Sequence, residues 1–553
     1  MRRMAPLKTA LVLATALTMV PARAQEAPAP DQAAAAPQAA PSLEDQFRDP
    51  PQSARPRAWW HWMNGNVTKD GIAKDLTWMK RVGIGGLQNF DANLETPQIV
   101  DERLVYMTPG WKDAFRFAAS EADRLGLELA IAASPGWSET GGPWVPPQDG
   151  LKKVVWSETT IAPGQRFAGR LPDPPGVTGP FQTVTKGASI DEVMTGKAKP
   201  SGPQYYADTL VLALPVKAAN ALPVPVATDP AGKPFDPAVL LDADYQSAFT
   251  INRGEGAGEP AITYNYAAPQ TVRAATAFLP GSAAMFLGAL VAPRLEASDD
   301  GKTWRKVVDL PATPVPTTVS FAPVTARHFR LALAPGQFGI GGMSAPSPGL
   351  DLSMAARFAG VGKAPVQLGA FILSPEPRID RYEAKAGFEV ERDYYHLSQG
   401  LADEPGIDPT RVVDLTGRMK PDGTLDWAAP RLPAGESWRV IRYGWSLLGT
   451  TNHPAPPEAT GLEVDKFDGP AVRRYLEHYI AMYRDASGGL IGKRGVQAIL
   501  TDSIEVGAAN WTPQMVAQIK RLRGYDPVPW LTAISGLIDG SREPSDRIHD
   551  ENR

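Results

Sequence analysis

The segment ILTDSIEVGAANWT, residues 499–512, carries an apolar run into Asp502 and then Glu505, with Asn510 and Trp511 close behind and a helix-start signal at Thr512 and Pro513. Two carboxylates at a strand end can give and take protons at a glycosidic oxygen, a reaction that a carboxylate pair runs unaided. Burial beside a like-charged neighbour keeps such a carboxyl protonated, so that it can donate. Other chemistries lack their residues. There is no phosphate-binding glycine loop after a strand, no H-E-x-x-H and no G-x-S-x-G elbow, and the chain has no cysteine. The six histidines are scattered at 61, 328, 396, 453, 478 and 549, which argues against a histidine-rich zinc site.

Three further strand ends are polar and aromatic in the same way. The first carries His61, Trp62 and Asn64, the second Gln88, Asn89 and Asp91, the third Ser134, Trp137 and Glu139. Dense amide and carboxylate hydrogen bonding beside flat rings suits a hydroxyl-rich ligand. Each residue also has a plainer reading: Asp502 as a turn cap, His61 as a satisfied core histidine, Trp137 as loop packing, Asn64-Gly65 as a turn.

The elements that would position these residues alternate. RAWWHWMNG reads as a strand; Thr68 then caps a helix bearing Ile72, Leu76 and Met79, closed by Gly83. GIGGLQNFD is a second strand. Thr108 and Pro109 open a helix with Trp111, Phe115, Ala118, Ala122 and Leu125 on one stripe, stopped by Gly126, and LELAIAASPGW is a third strand. Strands joined by crossover helices run parallel, so the pattern predicts an α/β sheet or barrel, with chemistry at the strand ends.

From 152 to 385 short Val-, Thr- and Phe-rich runs broken by Pro and Gly predict an inserted all-β sandwich. Its clearest hairpin turns at Asp300-Gly301, within a stretch that resembles galactose-binding-like, discoidin-type sandwiches. Over 386–553 the alternating pattern resumes: SWRVIRYGWSLLG as a strand, a helix from Asp468 with Val472, Leu476, Tyr479 and Tyr483, the strand GVQAILTD, and a helix with Met515, Ile519 and Leu522. Residues 46–151 and 386–553 thus read as two parts of one interrupted barrel, with about five parallel strands where closure needs eight.

Composition sets the compartment and the partners. MRRMAPLK followed by about a dozen apolar residues, too short to span a bilayer, with Ala22-Arg23-Ala24 behind it, predicts a signal peptide over 1–24, and 25–45 is an Ala/Pro-rich linker. The mature protein is expected to be exported, in a Gram-negative periplasm, with no membrane attachment after cleavage. Without cysteine it must hold together by core burial, which 553 residues allow. A net charge of −4 offers no basic field for nucleic acid, while 14 Trp supply platforms for sugar rings or simply fill a large core.

Together WWHWMNGNVTKDGIAKDLTWMKRVGIGGLQNFD, SPGWSETGGPWV and ILTDSIEVGAANWT resemble glycoside hydrolase family 106, the α-L-rhamnosidases, from about residue 46 onward. The resemblance implies an interrupted (β/α)8 barrel with β-sandwich modules, inverting hydrolysis of terminal α-L-rhamnosides in plant polysaccharides or flavonoid glycosides, and a calcium ion near the sugar. It makes Glu505 the general acid with Asp502 beside it, and His61, Asn64, Gln88, Asn89, Asp91 and Glu139 the lining of the rhamnose subsite. Family members are roughly twice as long, with the general base later in the barrel, so this chain is expected to be a partial, inactive one. The alternative is a non-catalytic exported carbohydrate-binding protein.

Overall fold

The computed structural model describes residues 41–94, 96–187, 202–217, 221–252, 259–284, 288–337, 365–391, 397, 401–502 and 504–551. The expected signal peptide and most of the linker fall outside these. The chain divides into a unit ending at Ala54 and one from Arg55 onward. In the first, Ser42 and Asp45 cap the helix Leu43–Arg48 reciprocally. No helix among the described residues is long and apolar enough to cross a membrane.

The second unit begins with strand β1 (Arg57–Met63), helix α1 (Lys69–Arg81), strand β2 (Gly86–Ala92), helix α2 (Pro109–Leu125) and strand β3 (Glu128–Ala132). Local chemistry accounts for each helix. The Thr68 side chain accepts from the Gly71 N–H at 3.0 Å, and Ile72, Leu76 and Met79 form the buried stripe of α1. In α2, Pro109 follows Thr108 at the start, and Gly126 ends the helix in the left-handed region at φ 65°. Much later, α3 (Gly469–Ala486) and β4 (Val496–Leu500) return to the same layer. The four strands pair in parallel in the order β1-β2-β3-β4, and the Trp60, Trp62, Leu87, Leu129 and Ile131 side pack on the stripes of α1, α2 and α3.

The α/β expectation holds for this layer, with one correction. Glu436–Leu447, read from sequence as a fifth parallel strand, pairs antiparallel with both Lys152–Ile161 and Tyr206–Lys217. Among the described residues the parallel sheet is therefore four-stranded and open, with β1 and β4 at its edges. The β-rich part accordingly runs past residue 385 to Leu447.

Inside that part a second antiparallel sheet centres on Ala261–Phe278 and Thr317–Pro335, with Val291–Ser298 and Arg305–Asp309 forming the hairpin expected around Gly301. Tyr264, Leu295, Phe329, Leu331 and Phe371 fill its core. The two parts are sewn together at Lys152, which bridges to Trp511 and whose buried ammonium pairs with Asp465 at 2.9 Å.

Candidate active site

Strand alternation decides which residues reach the open face of the parallel sheet. His61 does. Its ring stacks on Phe90 with centroids 5.0 Å apart, and Trp59 packs edge-on against it. His61 Nε2 accepts from Trp137 Nε1 at 3.0 Å, so the neutral ring carries its proton on Nδ1. Burial holds this imidazole below the usual histidine range. Gln88 lies on the same side of β2 as Phe90 and is half-buried.

Trp62, Asn89 and Asp91 point the other way, which corrects their expected place in a sugar subsite. Trp62 is 1% exposed and lies edge-on to Trp111 and Phe115 of α2. Asp91 Oδ1 accepts from Trp111 Nε1 at 2.8 Å. Burial pushes the Asp91 carboxyl up to about 7, the Trp111 bond pulls it down, and the charge of Glu458 adds to the rise. Asn89 is buried on the same side, its amide 3.5 Å from the Trp60 carbonyl. Asn64 is bound into its turn. At φ 50°, it donates to the Thr96 carbonyl at 2.8 Å and accepts from Arg103 at 2.9 Å.

The loop after β3 brings Trp137 and the half-buried Glu139 to the C-terminal edge of the sheet. It is locked to a segment absent from the sequence candidates, Thr450–Gly461. Gly136, at φ 84°, sits so close that a Cβ there would fall 2.7 Å from the His453 carbonyl. The Trp137 N–H donates to that carbonyl at 2.9 Å, and the His453 N–H donates to Ser138 Oγ at 3.0 Å. Between them Asn452, fully buried, donates to the carbonyls of Pro135 (2.9 Å) and Ala459 (3.0 Å) and accepts from the Gly461 N–H (2.8 Å). One signal in the sequence could have marked the segment: a histidine four residues past the Gly449 turn that follows an apolar strand.

Asp502 and Glu505 leave β4 on an irregular loop, Asp502 half-buried and the Glu505 side chain 60% exposed. His453 Nε2 faces Glu505 Oε2 at 3.8 Å. The same edge thus gathers His61, Trp137, Glu139, Asp502 and Glu505, with His453 added. Asn510 and Trp511, which follow close behind Glu505 in the sequence, serve the junction. The Asn510 amide accepts from the Val154 N–H and donates to the Ala386 carbonyl, both at 2.9 Å. Trp511 is buried beside Trp445 and Leu531 in the core below. Among the described residues no three His, Asp or Glu side chains converge as a metal site.

Comparison with known proteins adds three findings. A family model described as alpha-L-rhamnosidase matches residues 48–553. The solved rhamnosidase of Novosphingobium sp. PP1Y shares 58% identity at a TM-score of 0.82, covering 93% of this chain and 44% of that one. A Formosa agariphila protein named "Putative beta-glucuronidase" is 26% identical over 507 residues, 92% of this chain and 27% of its own length. The chain therefore spans less than half the length of either protein.

Proposed function

Because the chain belongs to the glycoside hydrolase 106 family of α-L-rhamnosidases, we propose that it hydrolyses terminal α-L-rhamnosides of plant polysaccharides or flavonoid glycosides, with inversion at the anomeric carbon. On this reading the four parallel strands belong to a (β/α)8 barrel, and the sugar lies against the edge where His61, Trp137, Glu139 and Glu505 meet. The observation that carries it is that edge: a carboxyl and an indole on loops tied together through Thr450–His453, beside a tautomer-fixed imidazole on β1, in a chain of this family.

The roles follow from the chemistry of each group. Glu505, as a carboxylic acid, gives its proton to the departing glycosidic oxygen as the bond to the anomeric carbon breaks. Asp502, on the same loop, adds negative charge that favours the cationic sugar of the transition state. His61 Nδ1–H is a donor for a ring hydroxyl, and Trp137 offers an apolar face. A water, activated by a second carboxylate on the opposite face, completes inversion. The calcium expected from the family has no carboxylate cage among the described residues, and no step here is routed through it. We assign the activity to the exported, periplasmic protein, on the basic start and short apolar run of residues 1–24.

The test compares p-nitrophenyl α-L-rhamnoside, whose leaving group needs no proton, with methyl α-L-rhamnoside, whose leaving group does. Glu505→Gln should lose about 100-fold or more on the methyl glycoside and much less on the nitrophenyl one. Equal losses on both would remove Glu505 as the acid. Rhamnose binding without release by the unsubstituted protein would favour a carbohydrate-binding role, and p-nitrophenyl β-glucuronide serves as the second-sugar control.

A further inference from the structure

The segment Thr450–His453 does more than brace the loop after β3, because the loop bearing Glu505 leans on it too. Thr450 Oγ1 donates to the carbonyl of Val506, the residue after Glu505, at 3.1 Å. Three residues on, His453 Nδ1 lies 3.1 Å from the Thr451 carbonyl. A carbonyl only accepts, so Nδ1 holds the ring proton of the neutral imidazole and Nε2 is turned to Glu505 Oε2 at 3.8 Å. The ring is thus oriented from behind by its own segment. Its backbone is held on both sides by Ser138 and Trp137, and Asn452 beside it has both amide ends engaged.

What it faces is built differently. Glu505 has three side-chain torsions, is mostly exposed, and rides a loop whose Gly507 takes φ 75° with open space around it. A general acid delivers its proton only when its oxygen lies within hydrogen-bond reach of the leaving oxygen, and small misplacements cost large factors in rate. A rigid imidazole beside a carboxyl with three torsions is a means of setting its direction. The 3.8 Å approach is the loose contact expected before substrate closes the site.

Resting on the reading of Glu505 as the acid, we infer that His453 is its positioning residue: the ring, anchored through Nδ1 on Thr451 and through its backbone on the loop after β3, holds the Glu505 carboxyl toward the bound sugar. His453 itself touches neither the breaking bond nor the sugar. Its effect is confined to steps that need the proton of Glu505.

Four proteins test this: the unsubstituted enzyme, His453→Ala, His453→Gln and Glu505→Gln, each assayed on methyl and p-nitrophenyl α-L-rhamnoside. His453→Ala should lower kcat on the methyl glycoside about 10- to 100-fold and on the nitrophenyl glycoside less than about 3-fold, with KM little changed. His453→Gln, whose amide oxygen can take the place of Nε2 as an acceptor, should recover much of the loss. An unchanged His453→Ala, or one equally impaired on both substrates and not rescued by Gln, overturns the inference while leaving Glu505 as the acid. Equal losses for Glu505→Gln on both substrates, or no turnover by the unsubstituted enzyme, overturn the underlying reading and the inference with it.

Discussion

At neutral pH the His61 imidazole has its single proton on Nδ1, because Nε2 is occupied by the Trp137 N–H at 3.0 Å. Burial lowers its affinity for a second proton, so the neutral form persists further into acid than for an ordinary histidine. The ring therefore presents one donor in a fixed direction, and acidification would add a proton at Nε2 and break the Trp137 bond. Trp137→Phe keeps an aromatic face and removes only the N–H. With about 1 kcal/mol for such a bond, rhamnoside KM should rise roughly fivefold with little change in the melting temperature. An unchanged KM would show that Trp137 acts by its ring alone. Residue identity was legible here and residue direction was not. His61 and Trp62 are neighbours at the same strand end, yet one faces the open side and the other the helices, 1% exposed. Strand alternation separates such neighbours, but which parity faces the site depends on where the helices pack, and those are distant in sequence.

Helices and turns proved readable where their causes are local. Thr68 caps α1, Gly126 ends α2, and Gly301 turns its hairpin at φ 68°, each within a few residues of the element it shapes. Glu436–Leu447 was readable as a strand but not as an antiparallel one. Its partners, Lys152–Ile161 and Tyr206–Lys217, lie more than 200 residues upstream, and an apolar run does not encode its partner. The same limit hid Asn452 and His453, whose importance comes from contacts with residues 135 to 138 rather than from any motif. Asn452 makes that coupling testable. Asn452→Ala leaves two buried carbonyls and one N–H without the partner each has now, at a cost of about 3 kcal/mol in unfolding free energy. Urea unfolding should show a lower midpoint, with activity falling alongside because Trp137 and His453 lose a common support. A midpoint within error of the unsubstituted protein would mean that the two loops hold each other without Asn452.

At the scale of the whole molecule, buried carboxyls, Asp91, Glu383 and Asp539 among them, tie stability to pH with one sign. Burial pushes Asp91 and Glu383 up to about 7 and Asp539 up to about 8, against hydrogen bonds that pull each of them down. Asp91 lies under the parallel sheet. Glu383 is bonded to Thr318 in the β-rich part, and Asp539 accepts from the Ala533 N–H at 2.9 Å in the closing segment. In the unfolded chain such carboxyls titrate near 4. Between about 4 and 8 the folded state therefore binds more protons than the unfolded one, so their contribution is full below pH 4 and is lost as pH rises through 7 to 8. Lys153 works the other way, since burial lowers its ammonium to about 7. The unfolded amine keeps its proton to about 10.5, so Lys153 restores stability only as pH rises above 7. The melting temperature should thus fall by several degrees between pH 5 and 7 and flatten above that. Asp539→Asn has no proton to lose and should show a shallower fall over the same range, whatever its absolute melting temperature. Calorimetry at pH 5, 6, 7 and 8 decides it: two parallel curves would mean that Asp539 carries the same charge folded and unfolded.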